Sequence, residues 1–218
     1  MKLLCLTDLH GARSALHRIL DRERDADAIL LGGDITNFGT PDEAERVVLH
    51  CSQAAPAVMA VAGNCDSPEI DQRLVDLDVS LFGRGRVLCG VGFFGVSAMP
   101  PWHGDTYELT EEAIAAALDA GVAMLEGAAP QVMLSHPPPR DTMVDRTVRH
   151  THVGSIAVRR AIDRTQPALV VCGHIHEARG VDQVGDTVIV NCGCGLKGLY
   201  AVVELSQTVR VELRQVLA

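Results

Sequence analysis

Apolar runs that each lead into a polar side chain recur along this sequence, and they constrain its fold more than any other feature. Five runs show the pattern: 2–7 leads into Asp8, 28–33 into Asp34, 57–62 into Asn64, 131–135 into His136 and 168–172 into His174. Short apolar runs bounded by Gly are typical of buried strands. In α/β sheets ligands bind beyond the carboxyl ends of the strands, so these segments can converge on one site.

Helical segments separate several of these strands, at 13–24, 41–53, about 110–120 and 154–164. For the second of them, Pro41 suits the first turn and Thr40 can cap it. Further β runs are predicted at 79–82, 86–90 and 92–97, with hairpins over 178–216 that turn at 184–187. This order of elements predicts an α/β sandwich with mixed sheets. The 218 residues are 47% hydrophobic and contain no linker, so we expect a single domain over 1–218.

Charge and cysteine content restrict the class of protein. A net charge of -9 disfavours binding to polymeric nucleic acid or to an anionic membrane. It does not exclude a small phosphorylated substrate, because bound cations can reverse the local field. Seven irregularly spaced cysteines indicate reduced thiols, and no run is long enough for a signal peptide core or a membrane span. We therefore expect a cytoplasmic protein without a membrane partner; the oligomeric state stays open, a homo-oligomer included.

The polar residues at the strand ends have the chemistry of a metal centre. Two aspartates, one asparagine and four histidines make up the set: Asp8, His10, Asp34, Asn64, His136, His174 and His176. Imidazole combined with carboxylate suits manganese, iron, nickel or zinc. In an extended chain, Asp8 and His10 would point to the same face, as would His174 and His176. A single structural zinc site would be closed, four-coordinate and rich in thiolates, so seven ligands of this kind exceed its needs.

The chain resembles the calcineurin-like metallophosphoesterase family in five motifs that occur in order between residue 1 and about 205. The motifs are Asp8-Leu-His10, Gly32-Gly33-Asp34, Gly63-Asn64-Cys65-Asp66, Ser135-His136-Pro137 and Gly173-His174-Ile175-His176. The resemblance implies a four-layer α/β/β/α sandwich with two mixed β-sheets and a dinuclear metal site between them. It implies hydrolysis of a phosphate ester by a hydroxide that bridges two divalent ions, manganese first, with iron, nickel or zinc as alternatives.

The resemblance also implies a role for each ligand. Asp8, His10 and His176 would bind the first metal. Asn64, His136 and His174 would bind the second. Asp34 would bridge both ions, and it would form the catalytic group together with Asn64 and His136.

Two positions depart from the usual family pattern. Cys65 stands where the family commonly has a histidine that assists the leaving group, and Asn37 stands where an aspartate often orients that histidine. Both halves of the dyad are absent, as in a smaller bacterial and archaeal phosphodiesterase branch with a GNCD motif. We therefore favour a phosphodiester substrate, with phosphomonoester hydrolysis as the alternative. A non-catalytic metal-binding scaffold of the same fold is disfavoured, since a scaffold would be free to lose ligands.

The remaining candidates lie in two loops and one cysteine pair. Arginine forks match phosphate oxygens and histidine can protonate a leaving alkoxide, so the loop residues are candidates for substrate contacts: His103, Arg140, Arg146, Arg149, His150 and His152. The alternative is that they are solvated loop charges. Cys65 is interpreted as a packed neutral residue. Cys192 and Cys194 are interpreted as ordinary strand residues, because they lack partners at zinc spacing.

Overall fold

The protein is built from eleven strands and five α-helices over residues 1–102 and 104–217, the part of the chain that the computed structural model describes. The strands are β1 (Lys2–Leu6), β2 (Ala28–Gly32), β3 (Val58–Val61), β4 (Gly85–Leu88), β5 (Val91–Val96), β6 (Gln131–Ser135), β7 (Leu169–Cys172), β8 (Gly180–Val184), β9 (Thr187–Asn191), β10 (Leu199–Leu205) and β11 (Val209–Gln215). The helices are α1 (Arg13–Arg22), α2 (Pro41–Ser52), α3 (Pro68–Asp76), α4 (Glu111–Ala123) and α5 (Ile156–Thr165). None of these helices is both long and apolar enough to cross a membrane.

The strands form two mixed sheets. The five-stranded sheet has the order β11-β10-β1-β2-β3, in which β1, β2 and β3 are parallel and β10 and β11 are antiparallel to their neighbours. The six-stranded sheet has the order β4-β5-β6-β7-β9-β8, with a parallel centre and antiparallel edges. The parallel strands of each sheet end at a common edge, so the loops that follow them are neighbours.

Three buried clusters show how the layers stack. Leu4 and Leu6 of β1 point away from the second sheet and pack with α1, α2 and α3. Leu3 and Cys5 point the other way and meet the six-stranded sheet, where Phe93 is also fully buried. The outer face of that sheet packs with α4 and α5. The alternation along each strand thus produces the four layers α/β/β/α, and the predicted fold class is confirmed.

Local signals explain where helices start. The Thr40 hydroxyl accepts a hydrogen bond from the Glu43 backbone N–H, and the Glu43 carboxylate accepts one from the Thr40 N–H, so α2 begins with the capping box that Thr40 and Pro41 indicated. At α3, the Ser67 hydroxyl accepts a hydrogen bond from the Ile70 N–H, and Pro68 occupies the first turn. The sequence analysis missed α3, although it carries this start signal.

One other expectation needs correction, and the hairpins predicted for the tail are confirmed. Residues 79–82 do not form a strand; they contribute isolated bridges at Ser80 and Phe82. The tail does form hairpins, but β9 pairs with β7 while β10 pairs with β1, so the chain crosses from one sheet to the other between them. This crossing carries residues 192–198 past the carboxyl end of β1.

Candidate metal centre

The loops after β1 and β2 are hydrogen-bonded to each other at the carboxyl edge of the sheet. The Asp8 N–H donates to Gly33 O at 3.0 Å and the His10 N–H donates to Asp34 O at 2.8 Å. Asp8, His10 and Asp34 have φ angles of 54°, 45° and 48°, in the left-handed region that few side chains adopt. Such strained residues cluster at functional sites.

The extended arrangement expected for the two histidine-containing pairs is wrong. Asp8 and His10 are both left-handed, His174 has a φ of 65°, and His176 opens a short 3-10 helix. The backbone turns sharply after β1 and again after β7. These turns, rather than the alternation of side chains along a strand, direct the aspartate and the three histidines of the two pairs toward one centre.

Two glycines allow the loops to approach one another. A Cβ atom on Gly33, whose φ is 88°, would overlap the His136 ring, and one on Gly63 would overlap Asp34. Larger residues at these positions would therefore push the loops that carry Asp34, Asn64 and His136 apart.

Asp8, His10 and His176 form the first half of the site. The Nε2 atoms of His10 and His176 are 3.4 Å apart, and His176 Nε2 lies 3.2 Å from Asp8 Oδ1. Donor atoms on a tetrahedral ion with bonds of ~2.0–2.1 Å are separated by about 3.3 Å. The spacing in this cluster therefore fits a shared cation.

Asn64, His136 and His174 form the second half. His136 Nδ1 lies 2.9 Å from the carbonyl oxygen of Gly32, so that nitrogen must carry the proton and donate it. The neutral ring then presents the lone pair of Nε2, which lies 2.9 Å from Asn64 Oδ1, itself an acceptor. The His174 ring is 5.2 Å from that of His136, centre to centre. A cation satisfies two acceptors that face each other, and metal-binding histidines commonly donate their other N–H to a carbonyl.

Asp34 lies between the two halves. Its Oδ2 is 3.7 Å from His10 Nε2, whereas its Oδ1 is 3.5 Å from His136 Nε2 and accepts a 2.7 Å hydrogen bond from the Cys65 N–H. The structure thus brings the seven predicted metal-binding side chains together, and the division into two groups that the resemblance implies stays a prediction, since Asp8 also clusters with Asp34 and His136. The donor chemistry and the distances fit divalent metal ions.

Asp66, the last residue of the GNCD motif, holds two of the loops together. Its buried carboxylate accepts hydrogen bonds from the backbone N–H groups of Ile35, Thr36 and Gly63 at 2.8–3.0 Å, and from the Thr36 hydroxyl at 2.8 Å. Burial, followed by the charge of Asp34, raises the pKa of Asp66. Asp66 therefore positions the Asp34 and Asn64 loops without itself belonging to the ligand set.

The charges within the site depend on one another. Burial acts to raise the pKa of Asp8, but the hydrogen bond from His176 and the nearby histidine rings outweigh it and lower that pKa. The same hydrogen bond, followed by one with Cys194, raises the pKa of His176 to about 10. Burial lowers the pKa of His174 to about 4. These shifts favour an ion pair between the Asp8 carboxylate and a protonated His176 at neutral pH, and a cation that binds there would displace that proton.

Two thiols also lie at the site, and one of them was missed. The Sγ atom of Cys194 and the ring nitrogens of His10 and His176 all lie within 4.8 Å of one another. Cys65 lies similarly close to His10 and Asp34. Burial, followed by the charge of Asp34, raises the pKa of the Cys65 thiol, in agreement with its interpretation as a neutral residue. The interpretation of Cys192 and Cys194 as ordinary strand residues is wrong, since both follow β9 in the segment that crosses between the sheets.

The loop candidates for substrate contacts occupy different places. His152 Nδ1 lies 2.6 Å from a carboxylate oxygen of Asp145, which is fully buried. Arg146 and His150 line a surface cavity of about 480 Å³ beside Glu177 and Arg179. Of the other candidates, Arg140 is half-buried and Arg149 is exposed, and His103 lies outside the described residues.

A second cavity opens directly beside the first metal cluster. It has a volume of about 210 Å³ and lies between the loops after β1 and β2 and the start of α2. Its lining residues include His10, Arg13, Thr36, Asn37 and Arg46. The sequence analysis did not single out Arg13 or Arg46. Each lies in a helix, and the residues that face it across the cavity are distant in the chain, so no local pattern marks either one.

Comparison with known proteins identifies the class to which this site belongs. Residues 1–205 match the calcineurin-like phosphoesterase superfamily domain, and the chain therefore belongs to that superfamily of metal-dependent phosphoesterases. It is similar to the uncharacterized protein MJ1162 of Methanocaldococcus jannaschii, with 32% identity over 88% of this chain and 87% of that protein. It is also 32% identical to the phosphodiesterase YfcE of Escherichia coli, over 37% of this chain and 47% of YfcE.

A solved structure supports the same fold over nearly the whole chain. TT1561 of Thermus thermophilus superposes with a TM-score of 0.79 over 98% of each chain, at 19% identity. At this level of identity, the similarity concerns the fold alone.

Proposed function

We propose that this protein is a dinuclear metal-dependent phosphoesterase that hydrolyses a small phosphodiester. The position of Asp34 carries the proposal. One of its carboxylate oxygens faces His10 in the first cluster and the other faces His136 in the second. A carboxylate with this orientation is what a bridging ligand between two ions requires.

The residues of the site have separate tasks in this reaction. Asp8, His10 and His176 would hold one ion, Asn64, His136 and His174 the other, and Asp34 both. Two ions bound there would lower the pKa of a shared water and neutralise charge on the phosphoryl oxygens. The Gly32 carbonyl accepts from Nδ1 of His136, so Nε2 is the nitrogen that would bind the ion, and Asp66 holds the loops of Asp34 and Asn64 together. Manganese remains the first expectation for the metal, with iron, nickel and zinc as alternatives.

His152 is the side chain best suited to protonate the leaving group in place of the absent dyad. Asp145 orients its ring through the 2.6 Å contact to Nδ1 and would stabilise the imidazolium, whose Nε2–H is then the proton offered to the leaving group; the side chain is 36% exposed. Asp145 is held in turn by the backbone N–H groups of Asp141, Thr142 and Gly154. A histidine oriented by a buried carboxylate is the usual arrangement of a general acid or base.

The segment that carries this pair lies next to the metal cluster. The side-chain amide of Asn191 donates to the carbonyl oxygen of Val144 at 3.2 Å and to that of Ile175 at 2.9 Å. One amide group therefore joins the residue before Asp145 to the residue between His174 and His176. This contact supports a position for His152 at the edge of the site.

Charge and cavity size support a small substrate. The cavity of about 210 Å³ beside His10 is lined by two arginines, Arg13 and Arg46, and by one acidic residue, Glu43. Two guanidinium groups beside a cavity of this size suit the phosphate of a small molecule better than a polymer. The seven cysteines form no disulfide among the described residues, which supports a cytoplasmic location as part of this proposal.

A panel assay tests the proposed function. The purified protein would be stripped with a chelator, reloaded with each divalent metal in turn, and offered diesters, monoesters and cyclic nucleotides. We expect activity only after reloading, with diesters preferred. Preference for monoesters would replace the diester assignment with the phosphomonoesterase alternative. Metal binding without turnover of any substrate would favour the scaffold.

A further inference from the structure

The first metal cluster contains a fourth donor besides its carboxylate and two imidazoles. The Sγ atom of Cys194 lies within 4.8 Å of the ring nitrogens of both His10 and His176, and the Nε2 atoms of these rings are 3.4 Å from each other. Cys194 is 2% exposed, so its thiol faces the cluster and not the solvent. Two imidazoles and a thiol in this arrangement match the donor types of zinc sites.

The backbone around Cys194 is fixed to the segment that carries Asp8. The Gly195 N–H donates to Thr7 O at 2.9 Å, the Leu196 N–H donates to Asp8 O at 3.0 Å, and the Cys194 thiol itself lies 3.8 Å from Asp8 O. These contacts join the segment of Cys194 to that of Asp8. Cys192 belongs to the core between the sheets, which leaves Cys194 as the member of this pair that reaches the cluster.

We propose that Cys194 is a thiolate ligand of the ion held by Asp8, His10 and His176. The inference rests on the proposed dinuclear centre and adds a ligand that the resemblance did not supply. When the ion binds, the thiol releases its proton to solvent and sulfur donates to the metal, so no oxidant or reductant is needed. A thiolate makes the first position softer than the second and shifts its preference from manganese toward zinc, iron or cobalt.

Cys65 is the competing thiol and provides the matched control. It lies close to His10 and Asp34, and its sulfur accepts a 3.5 Å hydrogen bond from the Asn64 side chain. Cys65 is half-buried, whereas Cys194 is buried. The exposed Cys89 is a third thiol that could bind added metal and must be removed from the experiment.

Cobalt(II) binding tests the assignment with a spectroscopic readout that is independent of turnover. A Cys89→Ser protein and its Cys194→Ser and Cys65→Ser derivatives would be stripped and reloaded with cobalt, and cobalt per chain would be measured by elemental analysis. We expect a thiolate-to-cobalt charge-transfer band in the near ultraviolet for the parent and for Cys65→Ser, and its loss in Cys194→Ser. The ratio of zinc to manganese affinity should fall at least about tenfold in Cys194→Ser.

The outcomes separate this inference from the proposed function. Cobalt binding to the parent without a thiolate band, or a band that persists in Cys194→Ser, would overturn the role of Cys194 and leave the dinuclear centre intact. Absence of bound cobalt would overturn both. If Cys194→Ser fails to fold, the double variant Cys65→Ser/Cys89→Ser decides the matter. Besides Cys194 it keeps four thiols, all buried in the cores: Cys5, Cys51, Cys172 and Cys192. A band in that variant supports Cys194, and its absence overturns the assignment.

Discussion

At the scale of single residues, Asp34 connects the two halves of the site. Its oxygens face His10 and His136 separately, so in the proposed dinuclear centre replacement of either oxygen would remove a donor from one of the two ions. We expect Asp34→Asn to lower metal content and to reduce kcat/KM by at least about 10²-fold, the upper end of losses caused by outer-shell changes alone. Asp119→Asn is the control, since Asp119 forms an exposed ion pair with Arg164. Full activity and full metal content in Asp34→Asn would contradict the bridging role.

His152 gives a second prediction at this scale, because a general acid affects substrates unequally. We expect His152→Ala to slow hydrolysis of alkyl esters by about 10²–10⁴-fold and to leave nitrophenyl esters, whose leaving groups depart unaided, nearly unchanged. His17→Ala serves as the control, since His17 is exposed on α1. An equal loss for both kinds of ester would indicate that His152 only supports the loop.

At the scale of elements, a buried hydrogen-bond network links α3 to the site. The Asp71 carboxylate accepts 2.8 Å hydrogen bonds from the hydroxyls of Ser97 and Tyr107, and the Tyr107 N–H donates to Asn64 O at 3.0 Å. Burial raises the pKa of Asp71 from 3.8 to about 6, despite these hydrogen bonds. The folded state therefore holds this proton more tightly than the unfolded chain does.

The sign of the resulting pH dependence follows from linkage. Between pH ~4 and ~6 the unfolded chain loses the Asp71 proton before the folded protein does, so this group makes the free energy of unfolding fall as pH rises. The difference amounts to about 3 kcal/mol at most, at about 1.36 kcal/mol per pKa unit. We expect urea unfolding of Asp71→Asn to show a flatter profile than wild type across this range. Parallel profiles would contradict the raised pKa.

Part of the fold and of the candidate site could be predicted from the sequence. The strands that lead into Asp8, Asp34 and Asn64 were predictable because apolar runs and their polar ends are local signals. The missed helix α3 had its own signal in Ser67 and Pro68. Cys194 could not be predicted, because the chain crosses between the sheets before it returns to Asp8. The His152–Asp145 pair depends on hydrogen bonds within an irregular loop, which periodicity does not describe.

At the scale of the whole molecule, the site joins segments that are distant in the chain. Candidate ligands from both sheets meet there, so an ion bound as proposed would stabilise the packing of one sheet on the other. An ion present at about 100 times its Kd adds about 2.7 kcal/mol to the free energy of unfolding. For a protein of this size that corresponds to a rise in Tm of about 5–10 °C. We expect this difference between chelated and manganese-loaded protein in a thermal melt; identical melting temperatures would indicate that no ion joins the sheets.

The arrangement of two ions on either side of Asp34 is the central claim, and anomalous diffraction from a crystal of the manganese-loaded protein tests it most directly. We expect two anomalous peaks about 3.5–4 Å apart, the usual spacing of two-metal sites. One peak should contact Asp8, His10 and His176, the other Asn64, His136 and His174, and both should contact Asp34. A single peak at full manganese loading, or two peaks that do not share Asp34, would contradict the dinuclear centre.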